Sequence, residues 1–383
     1  MKRKIAFFTG TRAEYGLLRG VIREAAPLAD AWLLVSGAHL SKAHGATVSE
    51  IERDSLAPLE KIDIDLSDNS PRGVAASTGR AVALLAASLE RRRPDLLVCL
   101  GDRYETFAAA SAAAIMNVPI AHLYGGEITE GAIDNALRHA VTKLAHLHFV
   151  SCAKYRDRVI QMGEAPERVW IAGALGVENA RNVRRASEEE TRKFLGLPPD
   201  SPYVIVTWHP ATLSDGDPTL EAALLLDNLR AMPGLYYVFT GANADAGGAA
   251  INEFLQAEAK GDPRMRFFMS LGMERYIQAA RFSSGVAGNS SSALCEIPGM
   301  GVPSLDIGVR QKGRERASSV FHCEVNKEDI GRGLRLILSP EGREAGRLAK
   351  NPFERPRPAK TVAKVLLEHP LEGLLAKHFY EQA

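Results

Sequence analysis

The chain has 383 residues, 46% hydrophobic and 24% charged; at roughly 150 residues per domain this is enough for two domains whose cores need neither disulfides nor metal to hold them. Lys and Arg total 47 against 46 Asp and Glu, a formal net charge of +1, which argues against a broad nucleic-acid footprint and a polybasic membrane surface. No apolar stretch reaches the length of a membrane span, and the run after Lys4 stops at Gly10, too short for a signal-peptide core.

In the first half, apolar runs at 5–9, 32–35, 96–100, 118–122, 147–150 and 169–172 read as strands, with helix-length stretches such as 72–90 and 103–117 between them. Uninterrupted apolar strands alternating with helices predict βαβ units on a parallel sheet buried on both faces. A helix over about 129–147 is predicted from Ile133, Leu137, Val141 and Leu144 on one face. Asp134 and Arg138, at i and i+4, share a side of it and read by themselves as a surface ion pair.

The charged segment 177–202, whose Glu188-Glu189-Glu190 run reads as a solvated helix face, is the expected boundary. Beyond it, strands are predicted at 203–207, 235–240, 266–269, 285–287 and 303–307, and helices at 220–231, 249–259, 273–280 and 292–297. The domains are placed at 1–180 and 181–365. A helical tail at 366–383, broken at Pro370, is expected to fold back on the first. The fold class is α/β, with two Rossmann-like domains facing a cleft and ligands beyond the carboxyl ends of the strands. Cys99, Cys152, Cys295 and Cys323 are far apart with no CxxC pair, which disfavours a zinc or dithiol centre and suits reduced thiols in the cytoplasm.

The polar segments that end the strands carry the chemistry. Gly10-Thr11-Arg12 follows the first strand, where a glycine turn and a helix start suit an anion and Arg12 adds a forked donor. Neither a GxGxxG fingerprint nor a GxxxxGK[ST] loop is present, which disfavours a nicotinamide enzyme or a P-loop ATPase. Asp102, in Gly101-Asp102-Arg103-Tyr104-Glu105, reads as a helix N-cap or as a carboxylate at the cleft edge. Gly125-Gly126 makes a tight turn that projects Glu127. His209 ends a strand of the second half and reads as a packed histidine, an acid/base or a phosphate donor. Gly288-Asn289-Ser290-Ser291-Ser292 precedes a short helix and suits a diphosphate, with Glu296 one turn on, placed to accept ribose hydroxyls. The basic loop with Arg310, Lys312 and Arg314 reads as a phosphate clasp or as a solvated loop.

Taken together, these segments resemble the hydrolysing UDP-N-acetylglucosamine 2-epimerases of sialic acid synthesis and their relatives in legionaminic acid synthesis. The resemblance is carried by GTRAEYGLL at Gly10, SGAHLS at Ser36, GDRYE at Gly101, GGEITEGAIDNALRHAVTKLAHLHF at Gly125, WHP at Trp208, GNSSSALCE at Gly288 and DIGVRQKGRERA at Asp306. It implies a GT-B arrangement with the nucleotide bound mainly by the second domain. It implies Asp102, Glu127 and Asp134 as active-site acids, His209 as the histidine of the second domain, and Arg12, Ser290, Ser291 and Glu296 as contacts to diphosphate and ribose. Asn289, Ser292, Arg138 and the basic loop complete the expected binding set.

The reaction implied is loss of a nucleoside diphosphate, a glycal intermediate and hydration to the free 2-epimeric sugar. It calls for a nucleotide-sugar partner and no metal or other cofactor, and neither nucleic acid nor membrane is expected to bind. A cytoplasmic homo-oligomer is expected. The competing readings are a non-hydrolysing 2-epimerase, a GT-B glycosyltransferase and a nucleotide-sugar sensor without turnover.

Overall fold

A computed structural model describes residues 2–41, 46–68, 70–129, 133–210, 216–243 and 247–382. The chain divides into two compact units, one made of residues 1–128, 133–175 and 355–383 and the other of 129–132 and 176–354. Among the described residues no helix is long and apolar enough to cross a membrane.

The first unit holds seven parallel strands: β1 (Lys4–Thr9), β2 (Asp30–Ser36), β3 (Leu59–Ile62), β4 (Leu96–Leu100), β5 (Ile120–Leu123), β6 (Leu147–Val150) and β7 (Val169–Ile171), in the order β3-β2-β1-β4-β5-β6-β7. Alternate residues of one strand feed two cores. Ile5 and Phe7 pack with Leu33, Val98 and the helix Arg12–Ala25, while Ala6 and Phe8 pack with Leu34, Leu97 and the alanine-rich helix Tyr104–Ile115. Burial on both faces is why these strands read as uninterrupted apolar runs.

The second unit holds six parallel strands: β8 (Tyr203–Thr207), β9 (Tyr236–Thr240), β10 (Met265–Phe268), β11 (Gly285–Gly288), β12 (Ser304–Ile307) and β13 (Val320–Cys323), in the order β10-β9-β8-β11-β12-β13. Val204 and Val206 face one core, and Tyr203 and Ile205 the other. Each sheet reverses its winding once, between β1 and β4 and between β8 and β11. Such switch points are where doubly wound sheets bind ligands, because adjacent turns diverge there and open a crevice.

Several expectations are revised. The edge strands β3 and β13 leave no apolar run, since each is four residues long, carries polar residues (Leu-Glu-Lys-Ile and Val-Phe-His-Cys) and buries only its last side chain. The charged segment taken as a boundary is part of the second unit. Its acidic run forms the helix Glu188–Leu195, with a capping box from Ser187 and Glu190 and with Leu195 buried in a core. The chain passes between units at 175/176 and 354/355 rather than at 180/181 and 365/366. Ala180 and Val183 already pack on Ile277 of the second unit. The tail helix Pro358–Glu368 packs Ala359, Val362, Ala363 and Leu366 into the first core, where it meets Arg12–Ala25; it ends before Pro370, which has no amide to continue it, and residues 370–382, expected as helix, are not helical. The helix expected over 129–147 is described as Ile133–Leu144, its predicted start at 130–132 lying outside the described residues. Val141 and Leu144 pack in the core as expected, but Ile133, assigned to the same face, is 75% exposed, and Arg138 and Thr142 are buried beside Val141.

Candidate active site

In the first unit the candidate acids follow the carboxyl ends of β4 and β5, neighbouring parallel strands about 4.8 Å apart. Asp102 does not cap the next helix, whose N-cap is Arg103 without a side-chain bond. It accepts a hydrogen bond from Arg138, one helical turn beyond Asp134. That guanidinium keeps only 4% of its side-chain surface, against 21% for Asp102. Arg138 is therefore not half of a surface pair with Asp134; it reaches from the helix Ile133–Leu144 to the turn after β4. Burial, helped by the charge of Asp102, raises the Asp134 carboxyl above its ordinary range. A carboxyl that burial makes harder to ionise, set beside a second carboxyl bonded to a guanidinium, is an arrangement that can move a proton.

Glu127 sits on the other turn. Its carboxylate accepts from the Ser151 hydroxyl at 3.0 Å. The turn is shaped by Gly126, whose φ of +77° and lack of a Cβ are both required, since a side chain there would meet the Tyr155 carbonyl oxygen at 2.4 Å. His122 ties the two turns together: its Nε2 donates to the Gly101 carbonyl at 2.8 Å and its Nδ1 lies 3.2 Å from the Thr142 hydroxyl. Burial pushes this imidazole down to about 3, so it stays neutral. It packs and positions.

The turn after β1 differs from the anion cradle expected of it. Thr11 and Glu14 form a capping box, and Glu14 Oε2 accepts from the amides of Gly10 at 2.6 Å and Thr11 at 3.1 Å. The donors expected for an incoming phosphate are thus occupied by a side chain of the same helix. Arg12 is exposed and pairs with Glu50 at 3.1 Å. Beside the turn lies Glu105, fully buried and bonded to Arg103 at 3.1 and 3.2 Å. Burial and the charge of Glu105 push Glu14 up to about 7, against the two amide bonds. Sequence reasoning missed this buried pair of carboxyls. The Thr-x-x-Glu spacing of a capping box was the available signal for Glu14; nothing local marks Glu105 as buried.

In the second unit the switch-point residues are clamped together. The Asn289 side chain accepts from the His209 amide and donates to the His209 carbonyl, both at 2.8 Å, so this expected ligand group bridges the turns after β8 and β11. The Asn243 amide donates to His209 Nδ1 at 3.0 Å, which leaves Nε2 to carry the proton of the neutral ring. His209 is thereby set up as a hydrogen-bond donor. Gly288, at φ +131°, lets β11 approach β8, where a Cβ would lie 2.0 Å from the Thr207 carbonyl oxygen.

Ser290 and Ser292 hydroxyls are 3.2 Å apart, and Tyr276 holds Ser292 at 2.7 Å. The helix beyond, Ser292–Cys295, is a single turn entered through Ser291 with no side-chain cap. Glu296 lies against Gly176, where a side chain would meet its Oε1 at 2.2 Å. From the basic loop, Arg310 and Gln311 converge on the Asn289 carbonyl at 3.1 and 2.8 Å. Arg314 donates to the Thr129 hydroxyl of the same unit at 3.3 Å, and Lys312 is exposed. A cavity of about 240 Å³ lies beside this turn, lined by Trp208, Asn289, Gly308 and Arg310.

The sequence pattern of the family described as UDP-N-acetylglucosamine 2-epimerase matches residues 23–367. The chain is 36% identical over 343 residues, 89% of its length and 88% of the relative's, to a protein of Campylobacter jejuni named GDP/UDP-N,N'-diacetylbacillosamine 2-epimerase (hydrolyzing). It is 34% identical to the polysialic acid biosynthesis protein P7 of Escherichia coli, covering 92% and 90% of the two chains. Among solved structures, a UDP-N-acetylglucosamine 2-epimerase from Listeria monocytogenes superposes with a TM-score of 0.81 at 19% identity, over 96% of this chain and 97% of the other. The enzyme of that name from Neisseria meningitidis, bound to UDP-GlcNAc, gives 0.79 at 17% identity, over 96% and 100%. These likenesses show the GT-B fold.

Proposed function

The chain belongs to the UDP-N-acetylglucosamine 2-epimerase family, and we propose on that footing that it is the hydrolysing kind. Its substrate is UDP-N-acetylglucosamine or a 2,4-diacetamido-trideoxy analogue, and its products are the free 2-epimeric sugar and the nucleoside diphosphate. The observation that carries this reading is the Asp134–Arg138–Asp102 group, with one carboxyl raised by burial and the other bonded to a buried guanidinium. The names of two relatives, at 36% and 32% identity, support the hydrolytic outcome.

Cleavage of the C1–O bond leaves positive charge on the ring, which nearby carboxylates stabilise. The same charge acidifies the C2 proton. A carboxylate removes it to give a glycal, water adds at C1, and an acid returns a proton to the opposite face of C2. Asp102 and Asp134 are assigned the two C2 proton transfers, and Glu127, held by Ser151, the support of the cation or the orientation of water. His209, donating through Nε2, and the serines at 290–292 are assigned to the leaving diphosphate. Arg12, Glu296 and the loop with Arg310, Lys312 and Arg314 complete the nucleotide contacts, and a cytoplasmic homo-oligomer is proposed.

Incubation in heavy water with UDP-N-acetylglucosamine, its diacetamido analogue and the corresponding GDP sugars tests this. Free nucleoside diphosphate and a 2-epimeric sugar deuterated at C2 are expected from at least one of them. An epimer still joined to its nucleotide identifies the non-hydrolysing enzyme. Release of the original sugar without deuterium leaves a nucleotide-sugar hydrolase.

A further inference from the structure

The last residues of the chain dock on the first unit through a buried carboxylate. Glu164 keeps 2% of its side-chain surface and binds Lys143 at 2.6 Å, His148 Nε2 at 3.0 Å and Lys377 at 2.7 Å. Lys377 is 18% exposed, and its ammonium also donates to the carbonyls of Lys143 at 2.6 Å and Ala145 at 2.8 Å. All three of its protons are therefore placed. Lys143 is in the last turn of the helix Ile133–Leu144 and Ala145 follows directly after it, where an α-helix leaves acceptors unpaired and favours a cation.

The residues around Lys377 hold it there. Arg3 donates to the carbonyls of Leu366 at 2.6 Å and His369 at 2.9 Å, and Arg168 to that of Leu374 at 3.2 Å. The Tyr380 amide donates to the Gly163 carbonyl at 2.9 Å. Phe379 lies where any side chain on Gly163 would go, and the Lys143 ammonium is 5.2 Å from its ring centre. Apart from the Leu366 carbonyl, the tail groups in these contacts lie past residue 367, where the family pattern ends.

We propose that Lys377 is a positioning residue for the reaction: by capping the carboxyl end of the helix Ile133–Leu144, the tail sets the attitude of that helix and so of Arg138 midway along it and Asp134 at its other end. The helix is one rigid rod, and the clasp and the acid are about 15 Å apart along it. A small tilt at the clasped end moves Arg138 off Asp102, and misplacement on the order of 1 Å is enough to cost a large factor in rate. The inference rests on the proposed role of Asp134 and Arg138.

The test compares Lys377→Met, Lys377→Arg and Phe379→Ala in the full chain. It reads kcat and KM for diphosphate release, and hydrogen exchange of the helix well below the melting midpoint. For Lys377→Met, kcat is expected to fall about tenfold with KM within about a factor of two, and exchange over 133–144 to rise about tenfold. Lys377→Arg restores most of both, and Phe379→Ala gives a smaller loss in the same direction. A Lys377→Met chain that loses only thermal stability, with wild-type kcat and exchange, overturns the proposal. Should the wild-type chain cleave no nucleotide sugar, the assigned reaction falls, and the exchange comparison then decides the clasp: unchanged exchange overturns it and raised exchange supports it.

Discussion

The buried residues that distinguish this site are charged, and each has a testable cost. Glu14 ionises at its ordinary 4.5 in an unfolded chain and near 7 in the folded one. A folded pKa raised by burial favours the fold fully below 4.5 and loses that contribution as pH rises through 7. The loss is roughly 3 kcal/mol, from 1.36 kcal/mol per pKa unit. Glu14→Gln keeps an acceptor for the Gly10 and Thr11 amides and has nothing to titrate. Denaturant unfolding from pH 4 to 8 should therefore show the variant gaining on the wild type across that window; a pH-independent difference would contradict the assignment. Arg138 carries a different cost. Arg138→Met leaves Asp102 without its guanidinium and should cost about 2 kcal/mol, below the range for a fully buried pair because Asp102 keeps 21% of its surface. The drop in kcat should exceed about a hundredfold, and a variant with wild-type turnover would remove Asp102 and Arg138 from the reaction.

At the scale of elements, the strand-end turns decide where these side chains stand. The Gly288 turn is the most constrained, because β11 and β8 run in register at Gly288 and Thr207 and the glycine sits at φ +131°. Gly288→Ala brings both backbone strain and a clash with a carbonyl that cannot move without breaking the sheet. Its cost should be about 3 kcal/mol or more, seen as a lower denaturant midpoint with an unchanged slope. Affinity for UDP should weaken with it, since Asn289, Ser290 and His209 are set by the same turn. A stable variant with unaltered UDP binding would show that the turn is not the anion site. Much of this scale was legible: most central strands lie within a residue or two of their apolar runs, because burial on both faces leaves a run that no helix stripe imitates. The edge strands β3 and β13 were not, because partial burial mixes polar residues into them. The helix Ile133–Leu144 was found, with Val141 and Leu144 on its core side, but the burial of Arg138 was not. A stripe of Ile133, Leu137, Val141 and Leu144 looks like a core face, whereas the structure buries the guanidinium of Arg138 and exposes Ile133.

For the whole molecule, the chain order has a consequence for folding. The first unit is completed only by residues 355–383, after the second unit has been made. Truncation after Glu354 removes the helix Pro358–Glu368 and the burial of Val362, Ala363 and Leu366. At about 1.5–3 kcal/mol for each larger side chain, the loss is on the order of 5 kcal/mol, comparable to the stability of a small domain. The truncated chain should keep a cooperative transition for the second unit and lose protection from hydrogen exchange throughout the first. Equal protection of both units in the truncated chain would show that the tail is dispensable for the first core.

By itself the sequence determined the two parallel sheets, their central strands and the identity of the polar residues at the strand ends, because hydrophobic periodicity and turn chemistry are local properties that neighbouring residues express together. The partners of those polar residues were decided by tertiary structure alone. Asn289 clamps His209, Arg138 reaches Asp102, and Lys377 crosses 234 positions to cap Lys143. Such pairings depend on which groups burial leaves without water, and that is set by residues far apart in the chain.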